Sequence, residues 1–336
     1  MQGYKCLPLA GRRGGAVIKV LDLDKVTPID GVRYLVPPDD AVLTARDGKV
    51  SLECGDVPIP LLIEDYEALD APYPSYDAVG RGIYQALRTN PDCRFGERYA
   101  RILRDFYPHY ISEIATNLLM LDSKDVEVPY VDRKINLLKI LWLLEPQNAH
   151  FPFQIGLAFM DKGLRASALH LSTINLYKSR DFLLKALEIS PGNPEVSRHA
   201  AEVCYFLGRY EDAVGFWQTA LVNNSGAQAE DIAARIARVE MREIPMVPAV
   251  DYLTAVGIAF QHFQADEIEE AASILQDVLD DPVFRRDFIM PDIWYVLGES
   301  YEKMSMPKYA EEYYSEALGL DEGHQAAREA LQRLRG

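Results

Sequence analysis

Six histidines, four cysteines and several carboxylate pairs are the side chains of this 336-residue sequence that could bind a metal or move a proton. His109, His150, His170, His199, His262 and His324 show neither an H-x3-H nor an H-E-x-x-H spacing, the patterns that place two imidazoles on one helix face around a metal. They read as surface or hydrogen-bonded core histidines. Cys6, Cys54, Cys93 and Cys204 lie 48, 39 and 111 residues apart, far from the spacing of a zinc knuckle or a C-x-x-C redox site. Reduced and mostly buried thiols are expected. The pairs Asp22 and Asp24, Asp39 and Asp40, and Asp280 and Asp281 read equally well as solvated turn residues. A metal or acid-base site would need a third partner that the sequence does not supply. Gly11-Arg12-Arg13-Gly14-Gly15 invites a phosphate, yet lacks the G-x4-G-K-[ST] order and the helix that should follow it. It reads better as a flexible turn into the first strand than as a contact for a phosphate or an acidic partner. No catalytic residue, metal site or cofactor is expected.

Charge and hydropathy narrow the partner. With 49% hydrophobic residues the chain can build proper cores, and its length allows two or three domains. The net charge is −16, of which residues 129–336 carry −11. Nucleic-acid binding draws on Lys and Arg to neutralise phosphates, so nucleic acid is disfavoured, and anionic membrane surfaces are disfavoured by the same sign. No window approaches the ~20 apolar residues of a membrane span. Lys19, Asp22, Asp24 and Lys25 interrupt any signal-like run after Arg12 and Arg13. A reducing, cytoplasmic location is the simplest expectation.

The elements differ along the chain. Ala16–Leu21, Val32–Val36, Ala41–Ala45, Val50–Cys54 and Ile59–Ile63 are short, β-branched and separated by turn signals, with Asp47-Gly48 a hairpin signal. They predict a small antiparallel β module over residues 1–68. Glu64–Asp77 is an acidic, proline-marked joint. A helical segment follows over 75–145, either degenerate repeats or a separate bundle. Its helices are predicted from an N-cap at Ser75 to about Thr89, from Phe95 to Tyr107, from Pro108 to Leu121, and from Pro129 to Glu145.

Residues 146–336 carry an internal repeat. Trp294, Leu297, Gly298 and Tyr301 stand at offsets 0, 3, 4 and 7, and Ala310, Tyr314 and Ala317 at 0, 4 and 7, so each set shares a helix face. Ninety-seven positions earlier stand Ser197, Ala200, Ala201 and Cys204, then Ala213, Trp217 and Ala220. A third copy has Leu253, Val256, Gly257 and Phe260, then Ala271, Leu275 and Val278. A weaker fourth has Ile155, Gly156 and Phe159, with Leu183, Ala186 and Pro191 about 11 residues late. Its extra length, near Asp161 to Ile174, would prolong both helices or form a loop. A further helix, Gln228 to Arg242, has Glu230, Arg235 and Arg238 on a charged side and Ile232, Ala233 and Ile236 on an apolar one. His324 to Arg335 reads as a polar cap, with Arg328, Arg333 and Arg335 outward.

The W-x2-L-G-x2-Y…A-x3-Y-x2-A spacing resembles the tetratricopeptide repeat, a 34-residue helix-turn-helix unit. The resemblance implies a mainly α fold, an α-solenoid preceded by the small antiparallel β module. In that family the first helix of each repeat lines a concave groove, and its groove positions fall here on Glu195, Arg198, Glu202 and Tyr205. They fall next on Asp251, Thr254, Ile258 and Gln261, then on Asp292, Tyr295, Glu299 and Glu302. The weak repeat would contribute His150, Phe153, Leu157 and Met160. Repeat proteins that clamp a C-terminal carboxylate look like Lys and Asn at such positions, whereas these residues are largely acidic or apolar. The groove suits a segment with Lys or Arg and an apolar or aromatic anchor. The same residues read as plainly as solvated helix faces or contacts to the chain's own N-terminal module.

The expectation is a non-enzymatic interaction scaffold or adaptor that binds protein or peptide, with no nucleic acid and no membrane. Two alternatives stand beside it. Residues 1–145 would be a catalytic or small-molecule-binding unit with the repeats as a targeting arm, or the chain would be a structural subunit that packs on copies of itself.

Overall fold

The computed structural model describes residues 28–37, 42–44, 51–53, 57–69, 74–122, 127–222 and 225–335. The expected strand Ala16–Leu21, the Gly11–Gly15 run, Cys6, Cys54 and the acidic pairs before residue 41 lie outside them. Two compact units result, Met1–Leu119 and Met120–Gly336.

In the first unit the chain forms β1 (Val32–Leu35), β2 (Val42–Thr44), β3 (Ser51–Glu53) and β4 (Ile59–Leu62). β1 pairs antiparallel with β4, Val32 facing Leu62 and Leu35 facing Ile59. β2 pairs antiparallel with β3, Thr44 facing Ser51, while the Asp47-Gly48 hairpin signal lies outside the described residues. The strands thus make two separate two-stranded ribbons. An isolated ribbon is marginal in water, and β1–β4 gains its stability from a helix laid upon it. That helix is α2 (Tyr76–Thr89), opened by Ser75, whose hydroxyl accepts the Ala78 amide at 3.2 Å. Gly82 lets α2 touch β4, because a Cβ there would stand 1.8 Å from the Pro60 carbonyl oxygen. Val57, Ile59 and Leu61 are buried beneath it.

The acidic joint expected at Glu64–Asp77 contains instead a short helix, α1 (Ile63–Glu67), running straight on from β4. Glu64 and Asp65 sit in its first turn, where the helix dipole favours them, and Asp65 pairs with Arg81 at 2.6 Å. α3 (Gly96–Phe106) and α4 (Pro108–Asp122) complete the unit. The Tyr107 hydroxyl donates to the Tyr76 carbonyl at 2.7 Å, and Tyr99 donates to the Pro58 carbonyl at 2.5 Å. Those bonds bind the helices to each other and to the strand region. The sequence boundary between 68 and 75 therefore falls inside one unit, and the division comes within α4.

The second unit begins with α5 (Val128–Leu144), expected in the preceding segment but packed here on α6 (His150–Leu164). Next come α7 (Ser172–Ile189), α8 (Pro194–Phe206), α9 (Tyr210–Leu221) and α10 (Ala227–Glu240), then α11 (Ala249–Gln264), α12 (Ile268–Leu279) and α13 (Pro282–Asp287). α14 (Pro291–Lys303), α15 (Pro307–Leu320) and α16 (Gln325–Arg335) close it. α6–α7, α8–α9, α11–α12 and α14–α15 are the hairpins that the four repeats predict. Small residues set their approach: a Cβ on Gly298 would come within 2.5 Å of the Tyr314 ring, and one on Gly156 within 2.8 Å of Leu183.

A left-handed residue ends four of the helices: Gly208 after α8 (φ 71°), Arg242 after α10 (φ 60°), Asp266 after α11 (φ 64°) and Ser305 after α14 (φ 62°). Each is followed by an amide that reaches back to the last turn, as Arg209 to Cys204, Glu243 to Arg238, Glu267 to His262 and Met306 to Tyr301. These bonds satisfy carbonyls that a helix end leaves open. α10 thus terminates like the first helix of a hairpin, although α11, which follows, packs elsewhere.

The extra length of the weak repeat becomes a 3-10 turn, Ala166–Leu171, and an early start for α7. This turn lies against α11: a Cβ on Gly257 would be 2.1 Å from the His170 amide nitrogen, and the hydroxyls of Thr173 and Thr254 meet at 3.1 Å. Leu169, Leu176, Val203, Leu253, Val256, Leu275 and Leu297 share one core across several hairpins. The first hairpin therefore packs on the third as well as the second.

Candidate functional site

On α8, Glu195 is exposed, while the other three expected groove positions have partners within the chain. Arg198 Nη1 donates to Glu202 Oε1 at 2.9 Å. Burial pushes the Glu202 carboxyl up, but His199, whose Nδ1 lies 3.4 Å from Oε2, and the charges of Arg198 and Arg235 outweigh it and hold the group below its ordinary value. Tyr205 is buried, and its hydroxyl donates to Asp287 Oδ2 at 2.7 Å. Burial first, then Asp287, push that phenol up.

On α14 a similar covering comes from α16. Asp292 Oδ1 lies 3.2 Å from His324 Nε2, and Tyr295 stands between the rings of Tyr314 and His324 at 5.9 and 5.2 Å. Its phenol is pushed up to about 12 by burial and by the Glu299 carboxylate. Glu302 accepts from Arg333 Nη2 and from the Tyr314 hydroxyl, each at 2.8 Å, and Arg333 holds it low. Arg333 thus reaches across to α14 while its side chain stays 60% exposed to solvent.

The α11 positions stay open. Asp251 and Gln261 are exposed, Ile258 is 38% exposed, and Thr254 bonds Thr173 and its own Val250 carbonyl. Ile258 is an apolar side chain in water within an acidic and amide row. On α6, His150 is exposed and Phe153 is buried against the His199 ring at 5.7 Å. Leu157 and Met160 pack into the shared core.

Asp281 lies away from solvent, contrary to its reading as a turn residue: it is fully buried. Oδ1 accepts the amides of Val283 and Phe284 at 2.8 and 3.0 Å, and Oδ2 accepts the Met246 amide at 2.6 Å. It caps α13 and ties that helix to the strap between α10 and α11. α13 in turn presents Asp287, which takes Tyr205, Arg238 and Arg286. None of this follows from helical spacing. An S/T/D/N before proline, here Asp281-Pro282, is the one signal that marks such a start.

Cys93 and Cys204 are free thiols; burial pushes both up, away from the reactive thiolate. Among the described residues no group of three His, Cys, Asp or Glu side chains is placed to hold a metal, and no helix is long and apolar enough to cross a membrane.

No family model and no curated protein matches the sequence. Among solved structures the chain is similar to the MamA protein, at 15% identity over 63% of this chain and 93% of that one, with a TM-score of 0.26. It is similar to the TPR domain of P58(IPK), at 16% identity over 77% and 74% with a TM-score of 0.33. It is also similar to YrrB, described as a TPR protein with an unusual peptide-binding site, at 14% identity over 75% and 99% with a TM-score of 0.25. Four helix pairs, two closed on a glycine (Gly156, Gly298) and three turned on a left-handed residue (Gly208, Asp266, Ser305), make the second unit an α-solenoid of tetratricopeptide type.

Proposed function

We propose that this chain is a non-enzymatic scaffold or adaptor whose repeat array holds a segment of another protein. The segment carries Lys or Arg together with an apolar or aromatic anchor. The observation behind this reading is the open row on α11, where Ile258 stays 38% exposed beside exposed Asp251 and Gln261. An apolar anchor would bury Ile258, and a basic neighbour would meet Asp251. The charge of −11 over residues 129–336 would speed approach of such a segment and make it salt-sensitive. Glu195 on α8 and Glu299 on α14 would extend the acidic lining, while Arg198, Glu202, Tyr205, Asp292, Tyr295 and Glu302 would hold the first helices in place.

A peptide library displayed against the full chain tests the proposal. The enriched peptides should combine Lys or Arg with an apolar residue, and Asp251→Lys with Ile258→Asp should weaken them roughly tenfold or more. Acidic consensus peptides, or wild-type affinity in that double variant, would remove the α11 row from the proposal.

A further inference from the structure

Between α8, α10 and the α13 turn lies a cavity of about 210 Å3, partly open to solvent. At ~30 Å3 per water it holds roughly seven waters. That is less than the ~300 Å3 at which drug-sized sites begin, so it suits one functional group on a short stem. Tyr205, Trp217 and Phe288 give it aromatic walls, and Arg235, Arg238 and Arg286 bring three guanidiniums to it beside Asp287.

The hydrogen bonds of these arginines use few of their donors. Arg235 Nε bonds Asp231 at 3.0 Å, Arg238 Nη1 bonds Asp287 at 3.1 Å, and Arg286 Nε bonds Asp287 at 2.9 Å. Glu243 lies 3.6 Å from Arg286 Nη1. A guanidinium has five N–H donors, and the Arg235, Arg238 and Arg286 side chains are 36%, 33% and 44% exposed, so each can offer a donor to a ligand. The Asp231 and Glu243 side chains are 62% and 50% exposed, where water screens them. The Asp287 side chain is 12% exposed and is the one carboxylate lining the cavity. One guanidinium would neutralise it; three repel one another, and a bound anion would relieve that repulsion.

We propose that this cavity binds a phosphate monoester carried on an aromatic or apolar stem. The lining groups alone, three guanidiniums against Asp287, sum to two positive charges, offset in part by the screened Asp231 and Glu243 outside the cavity, and a phosphate monoester carries about −1.5 to −2 at neutral pH. A carboxylate would neutralise only half of the excess. Planar guanidinium forks match phosphate oxygens in pairs, and the walls of Tyr205 and Phe288 shelter the stem. This site is separate from the open α11 row and takes a ligand of opposite charge.

Calorimetric titration of the full chain with phenyl phosphate, in buffer free of phosphate, tests the site. Saturable binding is expected, weakened at least roughly tenfold by Arg235→Gln with Arg286→Gln and left unchanged by Arg333→Gln, with circular dichroism confirming that each variant is folded. Phenylacetate should bind more weakly than phenyl phosphate. No saturable heat below about 10 mM, equal affinity in the folded double variant, or phenylacetate binding as tightly as phenyl phosphate would each overturn the proposal. A phosphotyrosyl peptide that binds more tightly than free phosphotyrosine supports the site with a polypeptide source. Equal affinities support it with a free phosphomonoester source.

Discussion

The Tyr205 hydroxyl and the Asp287 carboxylate, 82 positions apart in the chain, share a hydrogen bond of 2.7 Å. Asp287 also accepts from Arg238 and Arg286, so two guanidiniums face its charge. Burial pushes this carboxyl up, but Arg286, Tyr205 and Arg238 together hold it below the usual range. Tyr205→Phe should cost about 1 kcal/mol, because the arginines still satisfy the carboxylate. Asp287→Ala should cost about 2–3 kcal/mol, since it deprives Tyr205 and two guanidiniums at once. Urea melts of the single and double variants, combined in a cycle, should show a coupling of about 1 kcal/mol; strict additivity would refute it.

Acid should act through Asp281. Its desolvation alone would raise the carboxyl, yet amides of Phe284, Met246 and Val283 and the Tyr252 hydroxyl bring it below the ordinary aspartate value. A group lowered in the folded state stabilises above its unfolded pKa, about 3.9, and loses that contribution as pH falls through the folded pKa. Thermal melts from pH 5 downward to about pH 2 should show wild type losing stability more steeply than Asp281→Asn. At neutral pH the substitution Asp281→Ala should cost about 2–3 kcal/mol, from a lost cap and an orphaned Met246 amide. Parallel acid slopes in wild type and Asp281→Asn would contradict this account.

Gly257→Ala should be among the most damaging small substitutions in the chain. Its Cβ would fall 2.1 Å from the His170 nitrogen and 2.5 Å from the Leu169 carbonyl carbon, both backbone atoms that no rotamer change can move. A loss of about 3 kcal/mol is expected in denaturant melts, against about zero for Gly215→Ala or better, where nothing lies within 4 Å of the built Cβ.

Ser305→Gly should act the other way. Ser305 holds φ at 62°, which costs an L-residue about 1 kcal/mol that glycine avoids. A gain of up to about 1 kcal/mol in the urea midpoint energy is expected, and a loss would mean that the serine side chain contributes what its backbone forfeits.

The hairpins were legible because their signal is local. Leu297, Gly298, Ala310 and Tyr314 stand at helical spacing, and each is buried where its spacing puts it. Ser75 was legible for the same reason, since a cap acts within three residues. The 3-10 turn at Ala166–Leu171 was not, because nothing in Ala-Ser-Ala-Leu-His-Leu specifies a partner, and its conformation depends on Gly257 some 90 positions later. Arg238 and Asp287 illustrate the same limit. Arg238 occupies the charged side of α10, as its spacing implies, but spacing cannot tell whether a charged side meets water or a distant carboxylate. The groove positions on α8 and α14 likewise acquire their partners from α10, α13 and α16, whose placement is set by packing across the array.

The seat of the 3-10 turn on α11 bears on how this gene product can change in length. Arrays of like units ordinarily gain or lose members by duplication or deletion, because each unit meets only its immediate neighbours. Here Leu169 and His170 reach past one hairpin to the next, so a unit inserted between α10 and α11 would pull the turn from its seat at Gly257. The array is therefore closed to insertion between α10 and α11, and homologues of unequal length should differ elsewhere in the array.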